Sequence, residues 1–303
     1  MTDRDHRVTK LTRNLVISST TMSKTRTETV DHFLARITHL HLQGKRLKVI
    51  ENLEACTNLK VLFLYDNKIE EIANLDFAKN LSYLYLENNG IGNIPSITNT
   101  KLKKLFLDEN EIAEMKGLEL CSELEVLSCA RQRLPKLTPL LFSQESLESI
   151  CSTLHILDIS GNGISDLSPF KILFRLQKLF ASDNSIADIG EIEGIVGLPD
   201  LEEVNFKRNP CCALRRYRDY VIGAASNSLR LFDDVSVTQK HIDSIRGIQS
   251  LRRRIGVMDG VNSLYEEGSQ QSDRDHSLGG DNHSLVSSNG GQAIEAECTV
   301  AQY

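Results

Sequence analysis

Residues 81–91 read LSYLYLENNGI. Leucines at 81, 84 and 86 alternate with Tyr83 and Tyr85, and Asn89 and Ile91 follow. Alternation with period two over 83–86 predicts a short strand with one side buried. So short a strand cannot bury its leucines alone, and the flanking sequence supplies what it stacks on. LKVLFLYDNKI stands at 59–69 and LKKLFLDENEI at 102–112, the same spelling on either side.

Eight segments follow L-x-x-L-x-L-x-x-N-x-L, the leucine-rich repeat pattern. They begin at Ile37, Leu59, Leu81, Leu102, Leu124, Leu154, Leu176 and Leu201, in steps of 22, 22, 21, 22, 30, 22 and 25 residues. Stacked units bury the leucines in one continuous core. Asn67, Asn89, Asn110, Asn162, Asn184 and Asn209 fill the polar slot. There a buried amide satisfies backbone groups left open where each strand turns. Lys45 and Gln132 depart from the rule. Gln132 lies in ARQRLPKL, at the start of the 30-residue step. It still offers an amide, while Pro135 and Pro139 end the regular turn. The extra residues through Ser152 are expected to form a longer loop with a helical piece on the outer face.

The expected architecture is therefore an α/β solenoid: about eight leucine-rich repeats with a curved parallel β-sheet, a helical N-terminal cap and a C-terminal cap. Residues 1–24 read as a flexible segment. Residues 25–36 read as a cap helix, with Thr25 and Glu28 as a capping box, and 37–209 as the repeats. Residues 210–255 read as the C-terminal cap, ending in an amphipathic helix through Ile242, Ile245, Ile248 and Ile255. Residues 256–303 lose hydrophobic periodicity and read as a disordered acidic tail, with eight acidic residues against one arginine. The net charge of −6 thus sits in the tail, and the balanced remainder speaks against nucleic acid. No run of 18 apolar residues is present and MTDRDHRVTK lacks an apolar signal segment, so the expectation is a cytoplasmic protein without membrane attachment.

Residues suited to chemistry fall into structural slots. Cys56, Cys121 and Cys151 precede the first leucine of their units by three, and Cys129 takes the third leucine slot. Cys211 and Cys212 lack metal-site spacing. His39 and His41 share a strand face without a third ligand. SGNGISD does not complete a phosphate-loop pattern. No cofactor, metal or catalytic machinery is implied, and the chain is not expected to be an enzyme.

The strand positions between the leucines point outward. Their middle column runs His41, Phe63, Tyr85, Phe106, Ser128, Asp158, Phe180, Asn205, and the next contains Gln43, Tyr65, Glu87, Asp108 and Ala130. Tyr83 belongs to the first column. Phe63, Tyr65, Tyr83, Tyr85 and Phe106 cluster on repeats two to four, rimmed by Asp66, Glu87, Asp108 and Glu109, with Asp183 further on. Exposed aromatics mark interaction sites, and an acidic rim favours a basic protein partner. The expected contact residues are Phe63, Tyr65, Tyr83, Tyr85, Phe106, Glu87, Asp108 and Phe180. KVLF at 60–63 matches a phosphatase-docking peptide, but such a peptide needs free strand edges, which an interior strand lacks.

With LYLYDNKI, LYLENNGI and LFLDENEI closed by RNPCC, YRDYVI and LRLFDD, and QRLPKLTPLLFSQESLESICSTLHILDISGNGI between, residues 30–255 resemble the leucine-rich repeat regulators of protein phosphatase 1. The resemblance implies the catalytic subunit of protein phosphatase 1 as partner, in a cytoskeletal, centrosomal, basal-body or ciliary setting. It also implies that the lengthened fifth step is inherited. Two alternatives stay open: a structural axonemal or ciliary protein acting on tubulin or axonemal partners without a phosphatase, and a ribonucleoprotein component, which the acidic rim disfavours.

Overall fold

The structure is a computed structural model that describes residues 8–99 and 101–254. The chain divides into two units, Met1–Leu264 and Tyr265–Tyr303. The second, which holds most of the expected tail, lies outside the described residues, as does Ile255.

Each repeat contributes a three-residue strand centred on its second leucine-slot residue. These are β1 (His39–His41), β2 (Val61–Phe63), β3 (Tyr83–Tyr85), β4 (Lys104–Phe106), β6 (Val126–Ser128), β8 (Ile156–Asp158), β9 (Lys178–Phe180) and β10 (Glu203–Asn205). They pair parallel and in register, with Leu40, Leu62, Leu84, Leu105, Leu127, Leu157, Leu179 and Val204 forming one row. All eight are buried. The strands stop after three residues because the chain must bend back toward the leucine and isoleucine slots behind the sheet. The bend is sharp: Asp66, Asn88, Glu109, Arg131, Asp183 and Arg208, each just before an amide slot, have φ between 51° and 59°. Left-handed backbone costs such residues about 1–2 kcal/mol each, offset by the amide that follows.

That amide ladder is regular. Asn89 Nδ2 donates to Leu64 O at 3.0 Å and Leu86 O at 2.9 Å, and its Oδ1 accepts from Ile69 N at 2.9 Å. Asn110 repeats the set with Leu86 O, Leu107 O and Ile91 N. Gln132 does the same: Nε2 donates to Leu107 O at 2.9 Å and Cys129 O at 3.2 Å, and Oε1 accepts from Ile112 N at 3.1 Å. The departure in sequence leaves the bonding pattern intact.

The long step keeps sheet register because its extra residues leave through the outer side. Beyond Pro135 and Pro139, β7 (Leu141–Phe142) pairs with β5 (Glu114–Met115) of the previous repeat, and α3 (Gln144–Ile150) packs Leu147 and Ile150 into the core. Gly117, at φ 80°, lies so close to Pro95 that a Cβ would stand 2.5 Å from its carbonyl oxygen. A side chain there would push two repeats apart. Two units further on, α4 (Ile189–Val196) buries Ile189, Ile192, Ile195 and Val196 behind β9 and β10.

The ends correct the sequence reading. Residues 8–24 are packed rather than flexible: Thr9 N donates to Arg46 O at 3.0 Å, and His41 N to Ser19 O at 2.7 Å. Leu11, just before α1 (Arg13–Ser18), and Val16 within it are fully buried. Those two apolar residues cover the first repeat, a task too short for periodicity to reveal. The cap helix α2 (Val30–Ala35) starts five residues later than expected, capped by Thr29. Thr25 and Glu28 instead close a turn before it, Thr25 N donating to Glu28 Oε2 at 3.2 Å. At the other end α5 (Tyr217–Ala224) and α6 (Gln239–Arg254) seal the core with Tyr217, Val221, Ile222, Ile242 and Ile245. The strands β11 (Leu231–Phe232) and β12 (Val235–Ser236) close the sheet as an antiparallel hairpin.

Candidate functional site

On the outward face of the strands, four side chains from four consecutive repeats stack. His41, Phe63, Tyr85 and Phe106 lie with successive ring centroids 4.7 Å apart and planes inclined by 11°, 23° and 6°. The spacing is that of the strands, about 4.8 Å, so in-register pairing builds the stack without further design. The rings are half-buried by each other, and the interior is filled by the leucines instead. Burial and the His39 charge hold the His41 imidazole below its ordinary range, so it stacks as a neutral ring.

The eight expected contact residues do not form one patch. Phe63, Tyr85 and Phe106 are joined in the stack. Tyr83 stands in the adjacent column under the Lys104 ammonium, 5.5 Å from the ring centroid. Tyr65, Glu87 and Asp108 line the other side. Phe180 is separated from the stack by the rungs of Ser128 and Asp158. His41, which completes the stack, and Val126 and Ile156, half-buried in the first column, were missed; the column alignment contained the signal for all three.

The acidic rim is narrower than its sequence count. Glu109 pairs with Arg131 at 3.2 Å and Asp183 with Arg208, and Asp66 accepts from Asn88 at 2.8 Å. Asn88 is neutral, so Asp66 stays in the acidic rim beside Glu87 and Asp108. Burial, with Asp108 and Asp66 nearby, pushes the Glu87 carboxyl up to about 7, and its Oε2 is buried without a hydrogen-bond partner. Asp108 is also raised by burial, though Ser128 Oγ at 2.7 and 2.9 Å and Ala130 N at 2.6 Å donate to it.

The remaining candidates are structural. Cys56, Cys121, Cys129 and Cys211 are buried, and Cys151 and Cys212 are half-buried against the core. Among the described residues no three His, Cys, Asp or Glu side chains converge as a metal site. Lys60–Phe63 is hydrogen-bonded to the strands on both sides. No described helix is long and apolar enough to cross a membrane.

A family model described as "Leucine Rich repeats (2 copies)" matches residues 36–76. The structure of an internalin C2 from Listeria monocytogenes superposes with a TM-score of 0.54 at 25% identity, over 73% of this chain and 90% of that one. The molecule is a leucine-rich repeat solenoid. An internalin InlF of the same bacterium shares the solenoid fold at TM-score 0.50 and 21% identity, over 68% and 64% of the two chains. In sequence, human cilia- and flagella-associated protein 410 is 32% identical over 99 residues, 31% of this chain and 38% of that protein. The solenoid thus spans well under half of that relative.

Proposed function

We propose that this solenoid is a non-enzymatic protein-binding scaffold of a cilium or flagellum, gripping its partner with the ring-bearing face of the sheet. The observation that carries the reading is the four-ring stack from His41 to Phe106. Core packing does not require it, and flat apolar rings beside carboxylates suit a desolvated protein contact. The ciliary setting draws on the likeness to cilia- and flagella-associated protein 410.

The second reading, favoured by the repeat spelling, the end cap and an insertion similar to that of phosphatase 1 regulatory subunit 42, makes the partner the protein phosphatase 1 catalytic subunit. A single comparison tests both. Purified phosphatase catalytic subunit and salt-washed axonemes are each offered to the full chain and to its Tyr85→Ala/Phe106→Ala variant. Either true partner should bind the variant more weakly by about 2 kcal/mol, with the melting temperature nearly unchanged. Equal binding by both forms removes the site, and binding to axonemes alone removes the phosphatase.

A further inference from the structure

The ring stack ends at Phe106 for a reason visible in its column. Tyr85 covers one face of the Phe106 ring. On the other side the register partner is Ser128, whose side chain is too short to offer a surface. One strand further the rung is held by Asp158. With strands about 4.8 Å apart, the Phe106 and Asp158 rungs stand roughly 10 Å from each other, and the rung between them carries only the short Ser128 side chain.

This rung is rigid and acidic. Ser128 and Ala130 are buried, and both are tied to the Asp108 carboxylate, which receives the Ser128 hydroxyl and the Ala130 amide. Among the described residues, Asp158 Oδ1 accepts a local amide, Ser160 N at 2.9 Å. The chain's own cations near this face make their ion pairs and ring contacts elsewhere, Arg131 with Glu109, Arg208 with Asp183 and Lys104 over the Tyr83 ring, although the Arg131 charge also reaches Asp108. Among the described residues, no lysine or arginine forms an ion pair with Asp108 or Asp158. Lys104 also shows that a cation settles on a ring of this face.

We propose that the Ser128 gap is the subsite for an arginine side chain of the bound partner, its guanidinium plane continuing the ring stack on Phe106 and its edge meeting Asp108 and Asp158. A guanidinium is flat, weakly hydrated and able to stack on an aromatic face while donating in its plane to carboxylates. An ammonium lacks the plane, and a neutral aromatic would leave both carboxylates desolvated without a counter-charge. Burial raises the Asp108 carboxyl against the Ser128 and Ala130 hydrogen bonds and the Arg131 charge, so a further cation there would favour its ionised form. The chain's own tail is the wrong sign, with eight acidic residues and the single arginine Arg274 beyond residue 255.

The inference rests on the sheet face being the binding face. Methylguanidinium titrated into the isotope-labelled full chain should produce saturating shifts at the Phe106 ring and the Ser128 and Ala130 amides. Methylammonium should bind about fivefold more weakly. Ser128→Phe, which adds the next ring to the stack, and Asp108→Asn, which keeps the shape, should each weaken methylguanidinium about tenfold, with amide dispersion confirming the fold. Shifts scattered over surface carboxylates, or unchanged in both variants, overturn the subsite. So does saturable binding at this gap that appears only in Arg274→Gln, which would make the tail its occupant. If Phe63→Ala lowers partner binding while Ser128→Phe does not, the subsite falls and the binding face stands; if neither lowers it, the face itself is wrong.

Discussion

The backbone amide of Gln132 donates to Asn162 Oδ1 at 2.8 Å, a ladder bond that crosses the 30-residue step as others cross 22. Asn162 Nδ2 also holds Cys129 O and Ile159 O at 2.9 and 3.0 Å. Removing the amide leaves several buried backbone groups without partners, so Asn162→Ala should cost about 3 kcal/mol in urea unfolding. Gln132→Ala should cost a similar amount, about 2–3 kcal/mol. A loss below about 0.5 kcal/mol would show that the long unit is held by its outer insertion instead.

The packed N-terminal segment is part of the folded unit. Leu11 is fully buried, and Asn52 Nδ2 donates to its carbonyl at 2.7 Å. Leu11→Ala should destabilise by about 3 kcal/mol, measured by thermal or urea melting, and removal of residues 1–24 should expose the first repeat. Hydrogen exchange would then rise in β1 first, because each repeat leans only on its neighbours.

Glu87 gives the face a pH dependence. Its folded carboxyl is raised to about 7 by burial and neighbouring acids, so the folded chain holds the proton more tightly than the unfolded one. The associated stability is full below the ordinary glutamate range and declines as pH rises toward 7. Glu87→Gln should remove this decline and stabilise the chain at pH 8 by about 1–3 kcal/mol. Parallel stability profiles for the two proteins between pH 5 and 8 would exclude the shift.

Glu28 behaves in the opposite sense. The Arg36 guanidinium, helped by His32 and the Thr25 amide, lowers its carboxyl to about 2. Stability from this contact is present above the ordinary glutamate range and is lost as pH falls through the folded value. Amide protection in α2, taken relative to the intrinsic exchange rate at each pH, should fall between pH 4 and 2, and Arg36→Ala should move that fall to higher pH. An unchanged exchange profile in that variant would refute the link.

How much of this could be read beforehand differs by element. The alternation in LSYLYLENNGI and its recurrence determined strand, register and solenoid, because a stack of units can bury its leucines only in phase. The amide slot, including Gln132, was legible for the same reason. The first cap was not: Leu11 and Val16 are two residues in a polar stretch, and only contact with the first repeat reveals their role.

The site divides along the same line. Sequence alone placed Phe63, Tyr85 and Phe106 in one outward column, since side-chain direction in a paired strand follows from alternation. The tertiary structure decided that their rings stack, that Phe180 stands apart, that cross-repeat arginines neutralise Glu109 and Asp183, and that Ser128 leaves a gap beside Asp108. Those outcomes depend on distances between residues some 20 to 30 positions apart, which only the stacked and bent chain brings together.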